Sequence, residues 1–309
     1  MSKVYVFTRY GGPDTQQLIE RPVPEPRPGE LLIAVRAAGV NPADWKIRAG
    51  YLGSTQPPPV PMGLEVSGVV TALGEGVTGF SVGDEVLGSV ARDYGGFAEH
   101  TLVAAEAAVA KPEEISFADA ATIPVAGATA YDITHQIELD AGQTMLIVGI
   151  GGGVGLMAAQ IGSVHEFHVL GTGSAAKQDI VDSTGATLVP YGPDLAARIE
   201  KVGVDGVDLI VDLVGGDALR EVAHLAKDPS RIISAADRTT VTDLGGSPLN
   251  RTTDALSKVT EVIEYGLVDP HVSALYPLDR AGEGVAEVEG GHATGKIVIE
   301  IIGSRTSGF

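Results

Sequence analysis

The sequence predicts an α/β protein in two parts, a β-rich part and a doubly wound parallel sheet. Three observations carry that prediction. The first third alternates short Val, Leu, Ile and Phe runs with Gly and Pro clusters. From Ser116 onward, apolar strands alternate with helical stretches, the pattern of a parallel sheet covered on both faces. The chain has 309 residues, and single hydrophobic cores stop growing at roughly 250–300.

In chain order, residues 3–7, 31–37, 66–72 and 97–103 read as strands. The Pro-rich runs 22–29 and 56–61 lie between them. Proline has no N–H to extend a ladder, so both are expected to be stiff surface connections. Ser116 and Asp119 have the spacing of a capping box and open an Ala-rich helix. Then follow strand 144–148, helix 154–161, strand 166–170, helix 175–183 ending at Gly185, strand 188–191, helix 195–202, and strands 208–211 and 231–234. The last part reads as a helix over 253–265 closed by Gly266, strands 271–276 and 296–302, and a helix around 279–289 between them. Within the first of these helices, residues 256–264 have the pattern of an amphipathic packing face.

Lys plus Arg number 21 against 40 Asp plus Glu, a net charge of −19. Such a surface repels phosphate backbones and anionic membranes, so neither nucleic acid nor membrane is an expected partner. The chain contains no cysteine, which removes disulfides, thiolate zinc sites and thiol nucleophiles and fits a cytoplasmic location. Met1-Ser2-Lys3 runs straight into Val4-Tyr5-Val6-Phe7, too short and too β-like for an export signal. Residues 141–164 are uncharged and long enough to span a bilayer, but seven of them are glycine. They read as strand, loop and helix.

That loop is the strongest local signal. A buried strand runs into Gly149-Ile150-Gly151-Gly152-Gly153-Val154-Gly155 and a helix follows at once. A diphosphate held by backbone N–H groups at a helix N-terminus needs bare main chain there, because side chains would block its approach. Dinucleotide sites that take NAD place an acid on the ribose about 20 residues on. Here the second strand ends Val169-Leu170-Gly171-Thr172-Gly173-Ser174-Ala175-Ala176-Lys177, with no acid before Asp179. Ser174 offers a hydroxyl and Lys177 a positive charge to a 2′-phosphate, so NADPH is the expected cofactor, with Thr172 in the same stretch. In the plainer reading Ser174 caps the next helix and Lys177 is a solvated lysine.

The chain resembles the zinc-independent quinone oxidoreductases, the zeta-crystallin-like branch of the medium-chain dehydrogenase/reductases. The resemblance rests on Gly39-Val40-Asn41-Pro42-Ala43-Asp44 with Arg48 and Gly50, and on Gly63-Leu64-Glu65-Val66-Ser67-Gly68-Val69-Val70. Further matches are Gly79-Phe80-Ser81-Val82-Gly83-Asp84-Glu85-Val86, Gly95-Gly96-Phe97-Ala98-Glu99 and Pro124-Val125-Ala126-Gly127-Ala128-Thr129-Ala130-Tyr131. The glycine loop, Val207-Asp208-Leu209-Ile210-Val211-Asp212 and Gly291-His292-Ala293-Thr294-Gly295-Lys296-Ile297-Val298 complete it. It implies a GroES-like catalytic domain from both chain ends, 1–118 and 264–309, with a Rossmann domain, 119–263, inserted and the active site in the cleft. It implies that Thr129 lies near the nicotinamide and that Gly152, Gly153 and Val154 cradle the diphosphate. It also implies that Ser174, Lys177 and Tyr191 surround the 2′-phosphate. Asn41 and Leu64 stand where zinc-using relatives carry cysteine and histidine ligands, so no metal is expected. Trp45-Lys46 stand where many relatives carry a tyrosine near the quinone, and Tyr51 is a candidate to replace it. A homodimer is also implied.

Other constellations are weaker. His165 and His168 sit at i,i+3 across a strand start and are expected at the surface. Asp208 and Asp212 look like strand-end acids. Asp44 and Arg48, at i,i+4, are expected to form an ion pair. The resulting expectation is an NADPH-dependent reductase passing a hydride to a quinone or an enone, with Asn41 and Tyr51 as donors to the developing oxyanion. An enoyl-thioester reductase is the alternative in the same chemistry. A non-catalytic NADPH-binding sensor or structural protein is the alternative from another class.

Overall fold

The computed structural model describes residues 1–54, 56–202 and 206–301. The chain forms two compact units, Met1–Val125 with Val272–Phe309, and Ala126–His271.

In the first unit, Glu30–Val40, Glu65–Leu73, Glu85–Val90 and His100–Ala110 pair antiparallel in that order. Glu30–Val40 pairs again with His100–Ala110, which closes the four into a small barrel. Lys296–Glu300 joins antiparallel to Glu30–Val40, and Val272–Pro277 lies parallel beyond it. Because successive strand side chains face opposite ways, Leu31, Ile33, Val35, Val66, Val70 and Val86 turn inward and share one buried cluster. Each such burial stabilises by about 1.5–3 kcal/mol. The strand expected at 97–103 begins at His100, since Phe97 instead bonds Tyr5 and Met62 through its backbone. Of the strand expected at 296–302, Ile302 lies outside the described residues.

The second proline run departs from expectation. Val60–Pro61 pairs with Ser2–Phe7, at the edge of a sheet that Gln16–Arg21 completes. An edge position is the one place where a ladder tolerates a missing N–H.

The second unit holds a parallel sheet in the order Thr187–Pro190, His168–Gly173, Thr144–Val148, Leu209–Asp212, Ile232–Ser234, Ser247–Pro248. The chain starts in the centre, winds outward one way, then returns to wind the other way. The strand order therefore reverses beside Thr144–Val148, and ligands of doubly wound sheets bind beyond the strand ends at such a switch point. The strand expected at 166–170 begins two residues later because Glu166 takes φ +59° in a turn. Tyr191 falls just past its strand. The helix expected at 175–183 is a short turn, Ala175–Lys177, followed by Gln178–Ser183. Ala255–Glu264 buries Ala255, Val259, Thr260 and Ile263 along one stripe, as its pattern indicates. Among the described residues no helix is long and apolar enough to cross a membrane.

Candidate functional site

The glycine loop leaves the end of Thr144–Val148 and enters the helix Gly153–Val164. Its glycines serve different needs. Gly149 turns with φ +92°, and a Cβ there would sit 2.7 Å from Val214 Cγ2. A Cβ on Gly155 would collide with the carbonyls of Ile150 and Gly149, so this glycine lets the helix lie close on the loop. At Gly152, the helix N-cap, a Cβ would find its nearest neighbour, Gly149 O, 4.0 Å away. Packing thus explains Gly149 and Gly155, while the space before Gly152 is open at the positive end of a helix. That bare, open cradle fits the diphosphate of a dinucleotide.

Thr172, Ser174, Lys177 and Tyr191 lie at the same end of the sheet. Thr172 is buried at the end of His168–Gly173, and its carbonyl accepts from the N–H groups of Gly149 and Ile150 at 3.1 and 3.0 Å. Its side chain meets the Tyr191 hydroxyl, whose pKa is raised mainly by partial burial. Ser174 is exposed and its Oγ accepts from Ala176 N at 3.4 Å, so it does cap the short turn. The Lys177 stem lies across Gly151 and its Nζ donates to Gly151 O at 3.3 Å. Partial burial holds the Lys177 pKa below the usual lysine value. Gly153 and Val154 form the first helical turn. Thr129 is buried in the helix Ala128–His135 of the same unit.

In the first unit, Asn41 ends the strand Glu30–Val40 and opens the helix Pro42–Arg48. Its amide is buried in a cluster that sequence reasoning did not assemble. Asn41 Nδ2 donates to Glu65 Oε1 at 2.7 Å, and Lys296 Nζ donates to Asn41 Oδ1 at 2.8 Å. Lys296 Nζ also reaches Val40 O at 2.8 Å and Glu65 Oε1 at 2.9 Å. Glu65 Oε2 accepts from Val125 N at 2.7 Å. The register explains the meeting: Gly39 faces Glu65 in one pairing and Val40 faces Ile297 in the other. Glu65 and Lys296 thus start the two strands that flank Glu30–Val40, at the same end as Asn41. A lone charge at the head of an apolar strand was the available signal for both. Tyr51 takes no part in this cluster. It is 74% exposed, and its ring lies edge-on to Trp45 with centroids 5.9 Å apart.

Asp44 and Arg48 do not pair as expected. Asp44 Oδ2 accepts from Asn41 N at 2.8 Å and Oδ1 from Gly63 N at 3.1 Å, while Arg48 Nη2 donates to Glu289 at 2.7 Å. Both side chains face inward, where partners distant in sequence outcompete the helical neighbour. Burial pushes the Asp44 pKa up to about 7, against the lowering effect of its N–H partners and Lys296. The folded state then holds a proton that the unfolded chain releases at its ordinary pKa of 3.8. Asp44 therefore favours unfolding increasingly as pH rises from about 4 to about 7. In urea unfolding, wild type should lose stability relative to Asp44→Asn between pH 5 and pH 8. A difference that does not change with pH would refute the assignment.

Asp208 and Asp212 are strand-end acids: Asp208 accepts from Thr144 N and Lys227, and Asp212 from the N–H groups of Val214 and Gly215. His165 and His168 are exposed. Among the described residues no three His, Asp or Glu side chains are grouped to hold a metal ion.

Comparison with known proteins agrees with this architecture. Residues 27–113 match the alcohol dehydrogenase GroES-like domain, and residues 178–299 match the family described as zinc-binding dehydrogenase. The chain is 31% identical to quinone oxidoreductase of Sus scrofa, over 97% of each chain. It is 32% identical to NADPH-dependent alkenal/one oxidoreductase, chloroplastic, of Arabidopsis thaliana, over 96% of this chain and 79% of the relative. It spans about half, 52%, of the synaptic vesicle membrane protein VAT-1 homolog-like of Mus musculus. The solved structure of the quinone oxidoreductase from Coxiella burnetii superposes with a TM-score of 0.89 at 26% identity, covering 97% of this chain and 99% of that one.

Proposed function

We propose, from the premise that the chain belongs to the zinc-independent quinone oxidoreductases of the medium-chain dehydrogenase/reductases, that it is an NADPH-dependent reductase of quinones or α,β-unsaturated carbonyls. The observation that carries this reading is the glycine loop, open at Gly152 and packed at Gly149 and Gly155, at the switch point of a parallel sheet. When bound, NADPH supplies the hydride for the electrophilic carbon of the acceptor. The backbone N–H groups at Gly152, Gly153 and Val154 hold the diphosphate. Lys177, Ser174, Thr172 and Tyr191 surround the 2′-phosphate, and Thr129 and Gly155 shape the remaining wall. Asn41 donates an Nδ2 hydrogen to the acceptor oxygen, where negative charge collects, and Tyr51 lies at the acceptor's outer end. Water provides the proton that converts the enolate to the saturated carbonyl, or completes the hydroquinone.

The test is NADPH oxidation against panels of quinones, enones, 2-enoyl thioesters and aldehydes, with NADH in parallel. Fastest turnover on the thioesters would move the assignment to the biosynthetic alternative. Tight NADPH binding with no acceptor turned over would favour the non-catalytic one. Asn41→Ala should lower kcat by about 100-fold and leave the NADPH Kd unchanged, the scale expected for a lost oxyanion donor. Lys177→Ala should weaken NADPH about 10- to 100-fold by titration while leaving NADH unaffected, the value of one charge-assisted bond to phosphate. Equal losses for both nucleotides would remove Lys177 from 2′-phosphate recognition. The expected cytoplasmic homodimer is tested by sedimentation of the purified protein and by cell fractionation.

A further inference from the structure

We infer that Lys296 and Glu65 are positioning residues that lock the Asn41 amide with its nitrogen as the available donor. The inference rests on the reading of Asn41 as the oxyanion donor. An asparagine amide is nearly symmetric in shape, and only its partners decide which end is oxygen. Here both partners are chemically one-sided. The Lys296 ammonium only donates, so the atom facing it must be Oδ1, at 2.8 Å. The Glu65 carboxylate only accepts, so the atom facing it must be Nδ2, at 2.7 Å. A flipped amide would put N–H against ammonium and oxygen against carboxylate, both repulsive in a site where Glu65 is fully buried and Lys296 is 4% exposed.

Lys296 is itself fixed, because its three hydrogens meet three acceptors: Val40 O, Asn41 Oδ1 and Glu65 Oε1. Glu65 is fixed by Val125 N and by a seat that exists only because residue 39 is glycine, where a Cβ would collide with Oε1. One of the two Nδ2 hydrogens of Asn41 is used on Glu65, and among the described residues the other meets no acceptor. The cluster therefore sets the direction of the donor before any acceptor arrives, which is the condition for electrostatic preorganisation.

The test uses full-length protein with NADPH and 1,4-naphthoquinone, and compares Lys296→Gln, Asn41→Ala, their double variant, and Lys296→Gln with Glu65→Gln. The last removes both charges together, so it remains informative if Lys296→Gln alone fails to fold. Loss of positioning should lower kcat on the order of tenfold, with the naphthoquinone KM and the NADPH Kd within about twofold of wild type. The double variant Lys296→Gln/Asn41→Ala should be no slower than Asn41→Ala. A readout independent of turnover is the side-chain 1H–15N resonance pair of Asn41, assigned by its disappearance in Asn41→Ala. In wild type one proton should exchange slowly and shift far downfield. In Lys296→Gln/Glu65→Gln the two should converge toward free-amide positions. If Asn41→Ala is slow while the Lys296 variants keep the wild-type rate, or if the losses multiply in the double variant, positioning is overturned and the donor reading stands. If Asn41→Ala keeps the wild-type rate, the donor reading fails and the inference with it.

Discussion

Gly152→Val is expected to weaken NADPH binding while leaving stability untouched, and Gly155→Val is expected to destabilise the same region. The two glycines are three positions apart in one loop, yet their surroundings differ in kind. A side chain on Gly152 enters open space at extended backbone angles, φ −91° and ψ 172°, that any residue adopts. Nothing in the fold resists it, but it occupies the place where the diphosphate meets the helix N-terminus. Losing one or two bonds to a charged group, each worth about 1.5–3 kcal/mol, weakens binding by at least about 10-fold. A side chain on Gly155 meets the carbonyls of Ile150 and Gly149, and backbone cannot swing aside as a flexible side chain can. Overpacking of this sort costs about 1–3 kcal/mol or more. Isothermal titration with NADPH and urea unfolding of both variants separate the effects. Wild-type affinity in Gly152→Val would show that the dinucleotide does not lie on this loop.

The second large effect is expected at Glu65. Glu65→Ala removes the only carboxylate bonded to Lys296 among the described residues, leaving a buried ammonium uncompensated, and it deprives Asn41 Nδ2 and Val125 N of their acceptor. Breaking one side of a buried ion pair destabilises by about 3–5 kcal/mol. Replacing both partners by apolar residues of similar volume is often neutral, so Glu65→Leu with Lys296→Met should be more stable than Glu65→Ala. Urea midpoints decide the matter, and a Glu65→Ala protein within about 1 kcal/mol of wild type would mean that water reaches the cluster.

These two regions differ in how readily the sequence discloses them. The strand Thr144–Val148 lies where its apolar run predicts, and the glycines that follow announce a turn and a bare helix start within eleven residues of one another. Local patterns of that kind survive folding because the backbone itself imposes them. The Asn41 cluster has no local pattern. Its members are 24 and 231 residues apart along the chain, brought together by strand register alone. Glu65 and Lys296 stand within stretches that match the family, but a match carries no contact. The Asp44–Arg48 expectation failed for the same reason: spacing of four residues describes an exposed helix face, and this helix turns both side chains inward, where Arg48 meets Glu289 at a separation of 241 residues. Tyr51, chosen for its place in the resemblance, is mostly in solvent, and its ring lies edge-on to Trp45.

The bond from Val125 N to the far oxygen of Glu65 has a practical consequence. Val125 is the last residue of the first unit before the chain passes to Ala126, and its N–H is held by the same carboxylate that orders the Asn41 amide. That single backbone hydrogen is thus a built-in gauge. Its rate of replacement by deuterium reports on the carboxylate's grip without any dye, label or engineered probe, and it can be followed in the resting protein with no acceptor present.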